Sequence, residues 1–407
     1  MLGSVHIPSQ FVSRYSLLGA FAVEIGNAFA AAGWRVNPPI GERGPHLFLL
    51  LNSPARLEQV FEWMRAVSGG EHAAIVQYFV DHPLGLHAPH LDRFAVMPNY
   101  RLLMPCKDDA HMLRLRWPAL RHMHCGHGVA PSALCDIASL GDGHVTPAGE
   151  RGGRDLPLLV AGSIHSEAEL DSLRAALPAP LRPVCDGIVE LQLAAPSLTF
   201  TQAFDLALPA GMISPDHWQF LAAVWRCTTA ELNRRRRVGL VRAVQGVPTI
   251  VVGPPAWKEE CVGTLNYVGE VAYADLSALM RRVRVCLAWG PTQFAHSYSE
   301  RPLLSMAAGC ATLTDERLSS RADFVDSEGP CAAFYDSSRP DTLRELVESL
   351  LLHPERSARM AMRGRVLMES AHLWFHRVPT MIAAARDAFA AAETKAQPGG
   401  SHARPVG

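Results

Sequence analysis

Between His296 and Glu316 the chain reads HSYSERPLLSMAAGCATLTDE, a cluster of hydroxyls and an adjacent acid and base followed by small apolar residues. Ser297 or Ser299 is placed to cap a helix running through Pro302, Leu303, Met306 and Ala307, and Gly309 suits its end. A helix start presents unpaired backbone N–H groups and a partial positive charge, so it favours anions. With Arg301 in the first turn and the hydroxyls of Ser297, Tyr298 and Ser299 beside it, the stretch suits a diphosphate. Lys258, after the glycine of Gly253 in VVGPPAW, is a second candidate cation. The same spacing also suits an ordinary helix start whose small residues, Met306 to Gly309, only let it lie close to a sheet. Glu300 fits two roles, a carboxylate for a ligand or a partner for Arg301.

Two further places hold groups able to move a proton. Asp81 and His82 close an apolar run in VDHPLGLHAPH, where either could deprotonate a hydroxyl, or Asp81 could simply cap the turn before Pro83. In RHMHCGHGV, His122 and His124 share one face of a short strand, with Cys125 and His127 beyond. Ligands this close in sequence supply only part of a zinc shell. His127 lies in a Gly-His-Gly turn that would let its ring approach a ligand. The arginine run of NRRRRVG, residues 233–239, could grip phosphate or an acidic surface, but four arginines at a helix end are more often a solvated face, and it is read as one. No Walker loop, Gly-x-Ser-x-Gly elbow or His-Glu-x-x-His occurs, and no two Asp residues stand two apart, so an Asp-x-Asp metal site is not expected.

The elements that must hold these residues follow from short apolar runs. Residues 46–53, 73–80, 101–106 and 120–125 each precede a polar or helical segment, an alternation that means a parallel sheet wrapped by helices. From 130 to 155 the chain turns Gly-, Pro- and Ser-rich, which reads as a linker. The pattern then restarts with runs at 156–166, 247–255, 284–290 and 311–316, strands whose carboxyl ends face a ligand crevice. Residues 341–392 read as helical, broken near His353-Pro354 and Val378-Pro379, and 394–407 as a disordered tail. The expected division is thus a first domain over 1–150 and a second over 151–375. With 407 residues, a net charge of -1 and 48% hydrophobic residues, the chain is globular in composition, and a nucleic-acid partner is disfavoured. Nine scattered cysteines without a Cys-x-x-Cys pair fit a reducing compartment, and cytoplasmic placement is expected. The most apolar stretch, 16–33, is interrupted by Glu24 and Asn27; it reads as a buried helix rather than an integral membrane segment, leaving peripheral contact open.

Residues 266–316, NYVGEVAYADLSALMRRVRVCLAWG followed by SERPLLSMAAGCATLTDE, resemble the carboxyl-terminal domain of GT-B glycosyltransferases, in particular the branch named after the spore-maturation protein CgeB. Gly269, Glu270, Tyr273 and Leu276 match its first segment, Glu300 and Arg301 its loop, and Met306 to Gly309 its helix; VQYFVDHP, residues 76–83, resembles a strand end of the first half. The resemblance implies two Rossmann-like domains facing across a cleft, the second holding a nucleotide sugar, with a helix at 376–393 crossing back to the first. It implies a donor site of Gly253, Lys258, Glu270, Ser297, Ser299, Glu300 and Arg301, and a base among Asp81, His82 and His127, Asp81 ranked first because the matching position is acidic. The implied reaction is metal-independent transfer of a sugar from a nucleotide-diphosphate donor to a hydroxyl of a glycan, protein or small molecule, with no cofactor besides the donor. One departure stands out. Retaining GT-B enzymes carry a Glu ahead of the small-residue run, holding the donor ribose, and a second Glu seven residues earlier; here the positions are Leu304 and Ser297. Two alternatives follow: a catalytically inactive nucleotide-binding protein of the same fold, or a nucleotide-sugar epimerase.

Overall fold

The computed structural model describes residues 3–8, 16–39, 44–52, 57–66, 73–140, 154–208 and 217–396. Two six-stranded parallel sheets organise it. The first contains β1 (Ser4–His6), β2 (Arg35–Val36), β3 (His46–Leu51), β4 (Ala73–Tyr78), β5 (Tyr100–Met104) and β6 (His122–His124), in the order β2-β1-β3-β4-β5-β6. The second contains β7 (Leu156–Ala161), β8 (Thr249–Val252), β9 (Leu265–Gly269), β10 (Val283–Leu287), β11 (Ala311–Asp315) and β14 (Ala333–Tyr335), in the order β14-β11-β10-β7-β8-β9. Between the last two, β12 (Val325–Asp326) and β13 (Gly329–Pro330) form a small antiparallel hairpin.

Every residue of β3, β4 and β5 is buried, because a parallel sheet is covered on both faces. Alternation then sorts their side chains: Leu47, Leu49, Val76, Tyr78 and Leu103 enter one core, Phe48, Leu50, Ile75, Leu102 and Met104 the other. The second sheet does the same, with Leu159, Ala161 and Cys286 on one face and Leu158, Val160, Val285 and Leu287 on the other.

The stretch that joins neighbouring strands β7 and β8, residues 162–248, carries among its described residues four α-helices: Glu167–Ala175, Arg182–Ala194, Phe200–Ala207 and Trp218–Ala243. Their apolar residues do not all return to the second sheet. Cys185, Ile188, Phe200, Phe204, Trp218, Leu221 and Trp225 pack with Phe48, Ile75, Tyr100 and Leu102 of the first. The 26-residue helix Trp218–Ala243, about 39 Å long at 1.5 Å per residue, begins in that core and ends against the second sheet through Val238, Leu240 and Val241. The position near 150 therefore separates the two sheets but not their cores. Residues 141–153 of the expected linker, and 397–407 of the expected tail, lie outside the described residues.

A second tie runs the other way. Val129, just after β6, bonds His372 O through its N–H (3.0 Å) and Trp374 N–H through its carbonyl (3.1 Å). A Cβ on Gly128 would lie 2.9 Å from the Trp374 backbone, so a glycine is what permits this approach. Helix Val378–Ala396 then lies along β4 and β5, where the buried Arg101 guanidinium binds the Asp387 carboxylate and donates to its carbonyl at 2.8 Å. The expected break at Val378-Pro379 is the start of this helix, where a proline costs no hydrogen bond. The apolar 16–33 stretch forms the helix Leu17–Ala31 and buries Leu18, Phe21, Ile25 and Phe29. Among the described residues no helix is long and apolar enough to cross a membrane.

Candidate active site

The loop from β10 into the next helix is built around one buried ion pair. Asp315, the acid at the end of β11, accepts the Gly290 N–H at 2.6 Å and binds the Arg317 guanidinium. Arg317 in turn donates through Nη1 to the carbonyls of Pro291 (2.8 Å), Phe294 and Ser297 (3.0 Å). A Cβ at Gly290 would stand 2.5 Å from Arg317 Cζ, so only glycine leaves room for the guanidinium. The loop therefore owes its shape to the strand that follows the helix.

It delivers helix Glu300–Ala307 with Ser299 as N-cap, its Oγ accepting the Arg301 N–H at 3.4 Å. Leu303, Leu304, Met306 and Ala307 are buried against the sheet. Gly309, at φ 74°, ends the helix where a Cβ would strike Cys135 and Arg154 at 2.6 Å. Glu300 is 8% exposed and its Oε1 lies 3.7 Å from Arg301 Nε. No hydrogen bond to the Arg301 guanidinium is found among the described residues.

Arg237 reaches the same strand ends from helix Trp218–Ala243. It is 5% exposed, donates to the Ser163 carbonyl just past β7, and lies over the Trp289 ring with Cζ 5.5 Å from the centroid. Burial and the Arg301 charge push its pKa down to about 9, and no carboxylate lies within ion-pair distance of it among the described residues. Beside it the Trp289 indole N–H and the Tyr335 hydroxyl are buried without a partner among the described residues. Gly162 and Gly253, at the ends of β7 and β8, keep this floor tight: a Cβ on Gly253 would stand 2.2 Å from Gly162 O, and Trp257 Nε1 donates to that same carbonyl at 2.6 Å.

Across the cleft, Asp81 Oδ1 accepts from Gln293 Nε2 at 3.1 Å. Burial raises the Asp81 pKa, the Gln293 bond works against that, and the charge of Glu300 adds to the rise. His127, 2% exposed, shares a 2.9 Å hydrogen bond through Nδ1 with the Tyr78 hydroxyl. Burial lowers its pKa to about 4 against the pull of Glu300, so the ring is neutral at pH 7. Glu300, from the second sheet's side, thus acts on both Asp81 and His127 of the first.

His82 is placed differently from the expectation. Its Nδ1 accepts the Leu84 N–H at 3.2 Å and its Nε2 donates to Asp109 Oδ2 at 2.8 Å, and the ring stacks on Trp225 at 5.2 Å. With both nitrogens engaged and no exposed surface, it offers a substrate nothing. Asp109 also accepts from the Thr201 hydroxyl; burial alone would raise its pKa, but the bonds from His82 and Thr201 outweigh it and hold the group at about 2. Ser297 gives its hydroxyl to Pro105 O at 3.0 Å across the cleft. Lys258 and Glu270 are exposed at the β8 and β9 ends. Among the described residues, no three His, Cys, Asp or Glu side chains gather as a metal set, and His124 instead bonds Pro105 O at 3.1 Å.

The arginine run is not a solvated face throughout. Arg235 is exposed and pairs with Glu190, but Arg234 and Arg237 are buried, Arg234 holding Glu167 and Glu260. A signal was available. Val238 and Val241 follow Arg234 by four and seven residues, and Leu240, Val241 and Val244 follow Arg237 by three, four and seven, which puts both arginines on the apolar stripe.

Residues 234–383 match a protein-family model described as glycosyl transferase-like. The match spans little more than a third of the chain, from Arg234 in the long helix to the start of the last one. No curated protein matches the chain. Among solved structures, sucrose-phosphate synthase from Thermosynechococcus elongatus matches with a TM-score of 0.53 and 12% identity, covering 96% of this chain and 100% of its own. An alpha,alpha-trehalose 6-phosphate synthase from Burkholderia multivorans matches with a TM-score of 0.44 and 13% identity, over 96% of this chain and 79% of its own. The first likeness gives the fold, GT-B. The domain match makes the chain an enzyme of the glycosyltransferase class.

Proposed function

We propose that this glycosyltransferase takes its sugar from a nucleoside-diphosphate donor without a metal ion and passes it to an acceptor hydroxyl, with no cofactor besides the donor. The observation that carries the reading is the pair Arg301 and Arg237: two cations converging at the strand ends of the second sheet, Arg237 without a carboxylate partner. A diphosphate supplies the missing negative charge and accepts from the unpaired Trp289 and Tyr335 donors. The N–H groups of the helix capped by Ser299 add to the same field. As the bond to the sugar breaks, charge gathers on the leaving diphosphate where these donors already point, which lowers the barrier. Asp81 is the base in this reading: it faces the cleft, and its raised pKa makes it a better proton acceptor than an ordinary carboxylate. His127 is the second choice. The order of the matching segments supports the CgeB-like branch, and a glycan, protein or small molecule fits as acceptor.

The test is calorimetric titration with nucleoside diphosphates, with and without chelator, on the parent and Arg301→Ala. Binding should persist in chelator, and loss of one charge-assisted contact should weaken the diphosphate by about 10- to 100-fold with little effect on the bare nucleoside. Binding that vanishes in chelator sinks metal independence; equal losses for both ligands sink the role of Arg301.

Leu304 supports a second reading. It is 2% exposed and packed in the core where retaining relatives of the resemblance hold a ribose carboxylate. A protein that binds the diphosphate but turns over no donor would be a nucleotide-binding member of the fold. A free epimerised sugar as product, with no transfer, would mark the epimerase.

A further inference from the structure

The loop 291–297 that leads into Glu300 and Arg301 has two sets of partners. From its own sheet, Arg317 holds the carbonyls of Pro291, Phe294 and Ser297. Its N–H groups go elsewhere. Asp108, in the loop after β5 of the first sheet, accepts the Ala295 N–H at 2.7 Å and the His296 N–H at 3.0 Å on Oδ2, and its Oδ1 stands 2.7 Å from His296 Nδ1. Asp108 is 7% exposed, and both of its oxygens are occupied by this one loop. The neighbouring Pro105 carbonyl takes the Ser297 hydroxyl.

We propose that Asp108 is a positioning residue for the donor site: a carboxylate of the first domain fixes the second domain's loop, and through it the placement of Arg301. The inference rests on the donor site proposed above. Its physical content is that two adjacent N–H groups on a buried loop need an acceptor, and an unsatisfied buried donor is costly. Without Asp108 the loop must turn these groups toward water, and the helix start three residues later moves with it. Donor affinity in one domain is thereby tied to a residue of the other.

Electrostatics gives this reading a discriminating sign. Removing a negative charge from a cleft that binds an anion should tighten the anion, by Coulomb's law alone. Positioning demands the opposite. The experiment measures nucleoside diphosphate and bare nucleoside binding in the parent, Asp108→Asn and Asp108→Ala, together with amide hydrogen exchange at Ala295 and His296 in each. In the parent both amides should be protected, and in the variants exchange should quicken by about tenfold or more, as for loss of a bond to a charged acceptor. Diphosphate affinity should fall about 10-fold in Asp108→Asn and further in Asp108→Ala, with nucleoside affinity unchanged. Unprotected amides in the parent overturn the clamp with no variant needed, so a variant that fails to fold does not shelter it. Quickened exchange with equal or tighter diphosphate binding overturns the positioning role. Should the parent bind no nucleoside diphosphate, the donor reading fails and the positioning role with it, while protected amides would show that the clamp itself stands.

Discussion

Glu24 offers the sharpest test of how the two sheets are joined. It projects from helix Leu17–Ala31 of the first domain, and its Oε2 accepts the Trp374 indole N–H at 2.7 Å from the crossover that precedes the last helix. Phe21, one turn earlier, meets Trp374 at 4.9 Å and Tyr273 of the second domain at 5.6 Å, and the buried Tyr273 hydroxyl has no partner among the described residues. In this apolar setting burial raises the Glu24 pKa from 4.5 to about 7, against the Trp374 bond, which favours the charged form. The folded protein therefore keeps a proton that the unfolded chain releases above pH 4.5. Stability from this group is present below pH 4.5 and is lost as pH rises through about 7. At about 1.4 kcal/mol for each pH unit between the two values, the loss is about 3 kcal/mol, nearer 2 once the partial exposure of the side chain is allowed for.

Glu24→Gln keeps the shape and an oxygen for Trp374 but cannot ionise. Chemical denaturation from pH 4.5 to 8.5 should show the variant equal to the parent at the acid end and more stable by about 2–3 kcal/mol at pH 8.5, the gap opening between pH 5 and 7. A difference that does not vary with pH, or a variant less stable at pH 8.5, would refute the assignment of the junction as an apolar site for this carboxyl.

Other outcomes follow from the same contacts. His127 is held neutral by burial at a pKa of about 4 against an ordinary 6.5, so the unfolded chain binds the extra proton. The parent should lose stability as pH falls from 6.5 to 4, and His127→Gln should flatten that slope in an acid denaturation series. Gly253→Ala places a Cβ 2.2 Å from Gly162 O, so thermal melts should show destabilisation of at least about 1–3 kcal/mol. Arg237→Met keeps the packing over Trp289 and removes the charge; diphosphate binding should drop about 10- to 100-fold by calorimetry while thermal stability holds or rises. Asp81→Ala should abolish most turnover, by about 10²–10⁴-fold, and leave donor affinity near the parent value.

Sequence displayed much of this architecture and little of its wiring. The strands β3, β4, β5, β7, β8, β10 and β11 were legible because each is largely buried on both faces and shows as a mainly apolar or β-branched run. The runs β1 and β2, with three and two residues, are too short to register, and β9 alternates LNYVG at the sheet edge with Asn266 and Val268 exposed. The helix Glu300–Ala307 with its Ser299 cap was legible from the hydroxyls and the small residues. What could not be read was which partner each charge would meet. Asp108 sits in the sequence KDD with nothing to mark it as the acceptor for a loop 187 residues away. Asp315 and Arg317, two apart in sequence, give no sign that one accepts the Gly290 N–H and the other holds three carbonyls upstream. These are long-range hydrogen bonds, set by where two sheets end up rather than by local spacing.

The position of the helical excursion between β7 and β8 decides which first-domain groups are left for chemistry. Phe200, Thr201 and Trp225 come from that excursion and close over His82 and Asp109 at the ends of β4 and β5, taking their hydrogen bonds and stacking surface. Polar groups at strand ends are the usual material of a cleft in this class of sheet. Here two of them have been drawn into a core, leaving Asp81 and His127 to face Glu300. The same excursion continues as the helix Trp218–Ala243, which carries Trp225 against His82 near its start and Arg237 against Ser163 three turns on. A helix cannot change the separation of those two points without breaking backbone bonds, so His82 of the first sheet and Ser163 of the second are held at a set distance by one element. The Asp108 contacts and the Val129 pairing with the crossover fix the same two halves from other directions. The two halves are thus tied to one another from three directions, by the long helix, by the Asp108 contacts and by the Val129 pairing.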